Sequence, residues 1–393
     1  MEHFNRLTVF LQRLIDEGQL AGCSCAVTKG QEIIYENYLG YADRESKKRM
    51  AEDTVFRMYS MTKAPIFTAA MMLFERGMFL MDEPISYYFP EYKHIYKHVY
   101  LPNGGVDVVP LEHPIQIRHV LTMAMGLPYG HGVDTNLRYA TPTEDAMYQM
   151  HKELEKKGPY TLREEIRAAA SVPVAFEPGT HWMYGFGSEI TAGLIELLTG
   201  MEIEQALKSL LFDPLGMKDT GMRFFGDIQQ RLSAFYAEKD GKLVRSQPMM
   251  DEKHLPGKEH LSGCPRLFST LKDYTALGRM LACGGEYQGQ NLMGRATIDL
   301  MRTNQLNETQ LIDYRKDRMM AGLGWGYGPR VMIDKVAGMS NAPIGEFSYA
   351  GGSGPLLTVY PEKQISMTLM YQRRSVHYED IHLRVRNVLY SCV

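Results

Sequence analysis

Ser60-Met61-Thr62-Lys63 sets a hydroxyl and an amine three residues apart, and residues 64–73 run on as an apolar helix. At 3.6 residues per turn the two side chains share one helix face, about one turn (~5 Å) apart, close enough to exchange a proton. A hydroxyl is a poor nucleophile until a base accepts its hydrogen. A lysine serves as that base when desolvation or a nearby cation lowers its pKa, and the apolar flanks of this helix would supply the desolvation. Spacing alone does not single out Ser60, because Ser269-Thr270-Leu271-Lys272 repeats the pattern. There the following residues, 273–281, read as a helix, and Ser269 or Thr270 reads as its cap.

The elements that must position these groups are legible as periodicities. Phe4, Leu7, Phe10 or Leu11, and Leu14 fall at helical spacing with charges between them, which predicts an amphipathic surface helix. Residues 22–28 and 33–40 read as two strands joined across residues 29–32, a hairpin signal. Near the other end, residues 347–350, 356–360 and 365–371 are strand-like runs separated by Gly-rich or Pro-containing turns, and a charged amphipathic helix is expected over 378–389. Between about residues 75 and 260 the pattern is mostly helical. Strands at both ends with helices between them predict a mixed α/β (α+β) chain whose antiparallel sheet is assembled from the two termini and flanked by helices. The expected division is a sheet subdomain of residues 1–75 and 260–393 and a mainly helical subdomain of residues 76–259, with the active site between them.

Composition narrows the partners. A chain of 393 residues with 43 basic and 46 acidic side chains carries a net charge of -3, which gives no electrostatic reason to expect nucleic acid or an anionic membrane. The N-terminus does not read as a secretory signal, and no run is apolar for the ~18 residues a membrane span requires. Five scattered cysteines, Cys23, Cys25, Cys264, Cys283 and Cys392, form no ligand pattern and fit reduced thiols in a cytoplasmic protein. Cys23 and Cys25 lie two apart on a strand, as small core hydrophobes. His94 and His98 have the spacing of helical metal ligands but lack a third ligand, so neither a metal nor a cofactor is expected. Gly22-Cys23-Ser24-Cys25-Ala26 is not a nucleophile elbow, since the strand continues through it. Trp182 and Trp325 suit both a cleft wall and core packing.

Beyond Ser60 and Lys63 the chain resembles the serine beta-lactamase and penicillin-binding-protein superfamily, most closely its family VIII carboxylesterase branch. The resemblance runs through Gly40-Tyr41-Ala42-Asp43, residues 53–63, 81–85, 115–122 and 176–180 ahead of Tyr184, residues 213–220, and Gly345-Glu346-Phe347 leading to Gly351-Gly352. It implies that Tyr184 faces the Ser60/Lys63 pair, where a phenol near an ammonium is easier to ionise and can move protons. Either lysine or tyrosine then serves as the acylation base. It further implies that Tyr349-Ala350-Gly351 is the strand element beside the serine. The backbone N–H of Gly352 would then join that of Ser60 in an oxyanion hole, although glycines there also suit a turn or bulge.

Two departures bear on the substrate. Phe186 stands where lactamases commonly carry an asparagine, and Tyr349 where they carry a lysine. Both changes are expected to replace amide or anion recognition with aromatic surface, so Tyr349, Ala350, Gly351 and Phe186 are the expected substrate-binding residues. Met123-Ala124-Met125 replaces a polar run of the relatives, either widening and drying the pocket or exchanging a hydrogen-bond network for packing. The expectation is a metal-free serine hydrolase acting on small esters, with amides also open, through an acyl-enzyme on Ser60. A beta-lactamase, a D-amino-acid peptidase, an acyltransferase and a non-catalytic binding module are the rival readings.

Overall fold

A computed structural model describes residues 2–130, 141–374 and 378–393. Its frame is an eight-stranded antiparallel sheet whose strands come from both ends of the chain. The N-terminal end supplies helix α1 (Asn5–Asp16) and strands β1 (Gly22–Lys29), β2 (Glu32–Asp43) and β3 (Lys48–Arg49). Helix α2 (Lys63–Glu75) then leads to three helices that matter for the site, α3 (Pro142–Lys157), α4 (Leu162–Ala169) and α5 (Gly187–Thr199), followed by α6 (Leu271–Ala282). The chain returns to the sheet as β4 (Leu323–Trp325), β5 (Arg330–Met332), β6 (Phe347–Ala350), β7 (Leu356–Tyr360) and β8 (Ile365–Met370), and α7 (Tyr378–Leu389) closes it. The strand order is β4-β5-β6-β7-β8-β1-β2-β3, so β8 and β1, from opposite termini, pair in the middle.

Two-sided burial explains why the central strands are not simply alternating. β8 is buried throughout and β1 is buried over all but Lys29. One face is covered by α1 and α7, whose Leu7, Leu11, Leu14, Ile381 and Val385 pack with Cys23, Cys25 and Met367. The other face meets α6 and α2 within the main core. Each fully buried Leu or Ile contributes roughly 1.5–3 kcal/mol of apolar transfer free energy. The amphipathic α1, the first hairpin, the three later strands and the last helix all lie where the sequence periodicity put them.

The segment between residues 75 and 260 is helical but not only so. Two antiparallel hairpins interrupt it, Tyr96–Tyr100 with Val106–Pro110 and Phe235–Lys239 with Lys242–Ser246. His98 lies in the first of these strands and bonds Thr143 Oγ1 through Nδ1 at 2.9 Å, so His94 and His98 are not neighbours on a helix. The second Ser-x-x-Lys is a cap, as expected: Thr270 Oγ1 accepts the Asp273 N–H at 3.3 Å at the start of α6.

Candidate active site

Ser60 sits in a tight turn, Tyr59–Thr62, that feeds directly into α2, so Lys63 is the first residue of that helix. Tyr59 adopts φ +49°, a left-handed conformation that a bulky side chain rarely takes, immediately before the nucleophile. The surroundings hold it there. Thr62 Oγ1 donates to Tyr59 O at 2.6 Å and accepts the N–H groups of Arg266 (3.2 Å) and Leu267 (3.0 Å). Tyr274 Oη donates to Met61 O at 2.6 Å, and the Met58 N–H donates to Leu267 O at 2.8 Å. The turn is thereby tied to residues 264–267 and to α6, and Cys264 Sγ rests 3.7 Å from Ser60 Oγ.

Lys63 is only 2% exposed. Its Nζ donates to Tyr129 Oη at 3.0 Å and lies over the face of the Tyr184 ring, 4.7 Å from the centroid. Tyr129 and Tyr184 meet edge to face at 5.9 Å. The expected tyrosine is therefore beside the lysine, while a second one, Tyr129, makes the hydrogen bond. Burial disfavours the Lys63 ammonium, but Cys264, Tyr184 and Glu189 outweigh it and the pKa is raised. The desolvation expected to turn Lys63 into a free base is thus offset by its neighbours. Tyr129 is pushed well above the ordinary phenol range by burial and by the negative charges around it.

Behind Tyr129 lies a buried polar cluster. Glu189 Oε2 accepts from Tyr129 Oη at 3.3 Å and from Ser188 Oγ at 2.9 Å, and its Oε1 faces Ser262 Oγ at 3.4 Å. Burial raises the Glu189 carboxyl to about 7, against the pull of Lys63 and with a push from Glu165. Glu165, one layer further out, takes His151 Nε2 at 2.8 Å and His260 Nε2 at 3.0 Å. Burial would raise it too, but these two histidines bring it down to about 2. Sequence reading missed Tyr129, Glu189 and Glu165. Tyr129 stands directly after the Met-Ala-Met-Gly-Leu-Pro stretch that departs from the relatives, and a glutamate in the apolar run 187–199 was the available signal for Glu189.

The strand element also lies against the serine turn. β6 pairs with β5 only at Phe347 and Ser348, which leaves Tyr349 and Ala350 uncovered by that neighbour. The chain then turns back, with the Gly351 N–H on Pro355 O at 2.8 Å and Ser353 Oγ donating to Arg57 O at 3.1 Å. A Cβ at Gly351 would come within 2.5 Å of Met58 O, so only glycine allows this approach to the strand that leads into Ser60. Gly352 follows in that same turn.

Two expectations need correction. Phe186 and Tyr349 do not provide aromatic surface: they are 1% and 4% exposed and belong to the main core. Gly185 is pinned against Pro128, where a Cβ would meet Leu127 O at 2.3 Å, and the Phe186 N–H bonds Leu127 O, so the Phe186 ring is directed among the helices near His151. The aromatic wall beside Lys63 is instead Trp182 and Tyr184, backed by the buried Tyr314 and Trp325, with ring centroids 4.7–6.3 Å apart. Trp182 is half-buried and Trp325 buried, so the first suits the wall and the second its support. Met123, Ala124 and Met125 are buried, and the carbonyls of Met123 and Ala124 accept the N–H groups of Met183 and Gly179, which decides for packing over a widened pocket. A cavity of about 410 Å³ lies between α1 and α7, away from Ser60.

The Beta-lactamase family model matches residues 8–389. Esterase EstB of Burkholderia gladioli is 28% identical over 358 residues, 89% of this chain and 85% of its own length. Acyltransferase calJ of Penicillium decumbens is 25% identical over 82% of this chain and 71% of its own. Among solved structures, EstCE1, described as a hydrolase with promiscuous acyltransferase activity, superposes with a TM-score of 0.81 at 23% identity, over 99% of this chain and 98% of that one. The chain belongs to the Beta-lactamase family, with the esterase-like members. It is a serine hydrolase.

Proposed function

We propose that this enzyme hydrolyses small carboxylic esters through a covalent acyl-enzyme on Ser60. What supports the reading above all is the buried Lys63 amine, one turn from Ser60 in sequence and held between two phenols, so that the member of the Lys63/Tyr184 pair that is deprotonated can accept the Ser60 proton. Ser60 attacks the ester carbonyl, and Lys63 and Tyr184 carry its proton to the leaving alcohol. Tyr184 rather than Tyr129 exchanges that proton, because the Tyr129 hydroxyl is engaged with Ser188 and Glu189. The backbone N–H groups of Ser60 and Gly352 hold the oxyanion, and a water activated by the same pair releases the acid. The wall of Trp182 and Tyr184 suits an apolar acyl or alcohol part. Penicillins fit poorly, since neither a lysine at 349 nor an asparagine at 186 is present for their carboxylate and amide.

The site lies between a sheet subdomain, residues 1–75 and 260–393, and a mainly helical one, residues 76–259. We place the enzyme in the cytoplasm on its five free thiols; no helix among the described residues is long and apolar enough to cross a membrane. Transfer of the acyl group to an alcohol other than water is the second reading, favoured by the acyltransferase named among the relatives. Rapid mixing of wild type and Ser60→Ala with short-chain p-nitrophenyl esters, nitrocefin alongside, tests the proposal. The expected result is a Ser60-dependent burst on esters with slow nitrocefin turnover, and added alcohol separates hydrolysis from transfer. Equal ester turnover by Ser60→Ala would overturn it.

A further inference from the structure

Gln372, two residues beyond the end of β8, meets the strand Val55–Arg57 that runs into the Ser60 turn, and the hydrogens of that contact can be counted. Its Oε1 faces donors, the Arg57 N–H at 3.1 Å and Arg57 Nη1 at 3.4 Å. Its Nε2 faces acceptors, Arg57 O and Tyr371 O at 3.1 Å each and Ser353 Oγ at 3.3 Å. Turning the amide over would set oxygen against two carbonyls and N–H against N–H, so it stands one way round. In that orientation it takes both the N–H and the C=O of Arg57, as a neighbouring strand would. Ser353 Oγ gives its own hydrogen to Arg57 O at 3.1 Å. Gln372, Arg57 and Ser353 are all buried, so solvent does not replace these bonds.

The close approach beside this contact has no hydrogen bond of its own. Gly351 lies against Met58 O, yet the Gly351 N–H goes to Pro355 O at 2.8 Å and Met58 O accepts the Met61 N–H at 3.0 Å. Gln372 and Ser353 fasten the same two segments, one residue before Met58 and two residues after Gly351. Gln372 is itself fixed, because its carbonyl accepts the Tyr236 N–H at 3.2 Å and the next N–H, of Arg373, donates to Ser353 O at 2.8 Å. The Arg57 guanidinium is held as well, by the two Asp251 oxygens at 2.6 and 2.7 Å and by Ser233 O at 2.8 Å. We propose that Gln372, together with Ser353, is a positioning residue for the oxyanion hole: its amide holds the strand that delivers the Ser60 N–H at a set distance from the turn that carries the Gly352 N–H. Two donors stabilise one oxyanion only if both reach it at about 2.7–3.1 Å, so a shift of either segment weakens the pair. The inference rests on the reading of these N–H groups as the oxyanion donors of an ester hydrolase.

The test compares wild type, Gln372→Met and Ser353→Ala on a p-nitrophenyl ester and on its thiono analogue, in which sulfur replaces the carbonyl oxygen. Sulfur is larger and a weaker acceptor, so N–H donors set for an oxygen favour the oxygen ester. Gln372→Met, close in length but without the amide, should lower kcat on the oxygen ester by about 10- to 100-fold with KM little changed, the scale of a misplaced group. The ratio of kcat/KM for the oxygen ester to that for the thiono ester should fall with it. Ser353→Ala, which keeps the amide, should lower both kcat and the ratio to a smaller extent. A mere loss of folded enzyme reduces turnover of the two esters by the same factor and leaves the ratio unchanged. A Gln372→Met enzyme with wild-type kcat, or with an unchanged ratio, therefore overturns the proposal. If Gln372→Met fails to fold, by near-UV circular dichroism, Ser353→Ala decides the same question, and an unchanged ratio there sinks the proposal. Absence of Ser60-dependent ester turnover in wild type would instead count against the esterase reading. The rate at which a fluorophosphonate, whose P=O oxygen enters the same hole, labels Ser60 would then decide the positioning role, equal rates in wild type and Gln372→Met overturning it.

Discussion

Gly351 is where one missing carbon decides the geometry of the site. Its Cα approaches the carbonyl of Met58 so closely that a Cβ would sit 2.5 Å from the oxygen, a backbone atom that cannot swing aside. Gly351→Ala must therefore displace either the turn carrying Gly352 or the strand leading to Ser60. A displaced oxyanion donor costs about 10²- to 10³-fold in kcat where single donors have been removed. The expected outcome is a loss of that order in kcat with a smaller change in KM, measured on a p-nitrophenyl ester. At this scale the sequence was informative for motif residues and silent for Tyr129. A tyrosine among 24 acquires a role only when folding brings its hydroxyl to Lys63, 66 positions away.

Among the elements, α1 does most to show what the periodic pattern secures. Its apolar stripe of Leu7, Phe10, Leu11 and Leu14 is buried against the sheet face that α7 shares, remote from the helices around Ser60. Leu11→Ala leaves a cavity in that layer, and a large-to-small change at a buried leucine costs about 2–5 kcal/mol. The free energy of unfolding from urea titration should fall by that amount and the midpoint move to lower urea, while kcat of the remaining folded enzyme stays close to wild type. Helices and strands with one strong period were read correctly because burial on one face imposes that period. The hairpins at 96–110 and 235–246 were absorbed into a helical region, since their strands are short and largely exposed and carry no such constraint.

At the level of the whole molecule, two buried carboxylates shape stability against pH with opposite signs. Glu165 is held at about 2, below its ordinary 4.5, so the stability it contributes is present above pH 4.5 and is lost as pH falls toward 2. A shift of that size corresponds to about 3 kcal/mol at neutral pH. Glu165→Gln should therefore lower the free energy of unfolding by about that much at pH 7, with the gap to wild type closing below pH 4.5 in a series of urea titrations. Glu189 runs the other way. Its pKa is raised, so its contribution is present below 4.5 and lost as pH rises through about 7. The same carboxylate that accepts from Tyr129 is thus a burden on the fold at alkaline pH.

By itself the sequence determined the sheet built from both termini and the helix that starts at Lys63, while the places of Tyr184 and of the Gly351-Gly352 turn came from the resemblance to the family. The elements follow from local periodicity, because burial on one face imposes a period that residues close in the chain share. Only the tertiary structure decided that Lys63 is buried against Tyr129 and Tyr184, that Glu189 lies behind Tyr129, and that Phe186 and Tyr349 are buried while Trp182 and Tyr184 form the wall. Those properties depend on burial and on charges brought together from α2, α4, α5 and the loops between them, and a carboxylate's pKa is set by what surrounds it in space rather than by what precedes it in the chain.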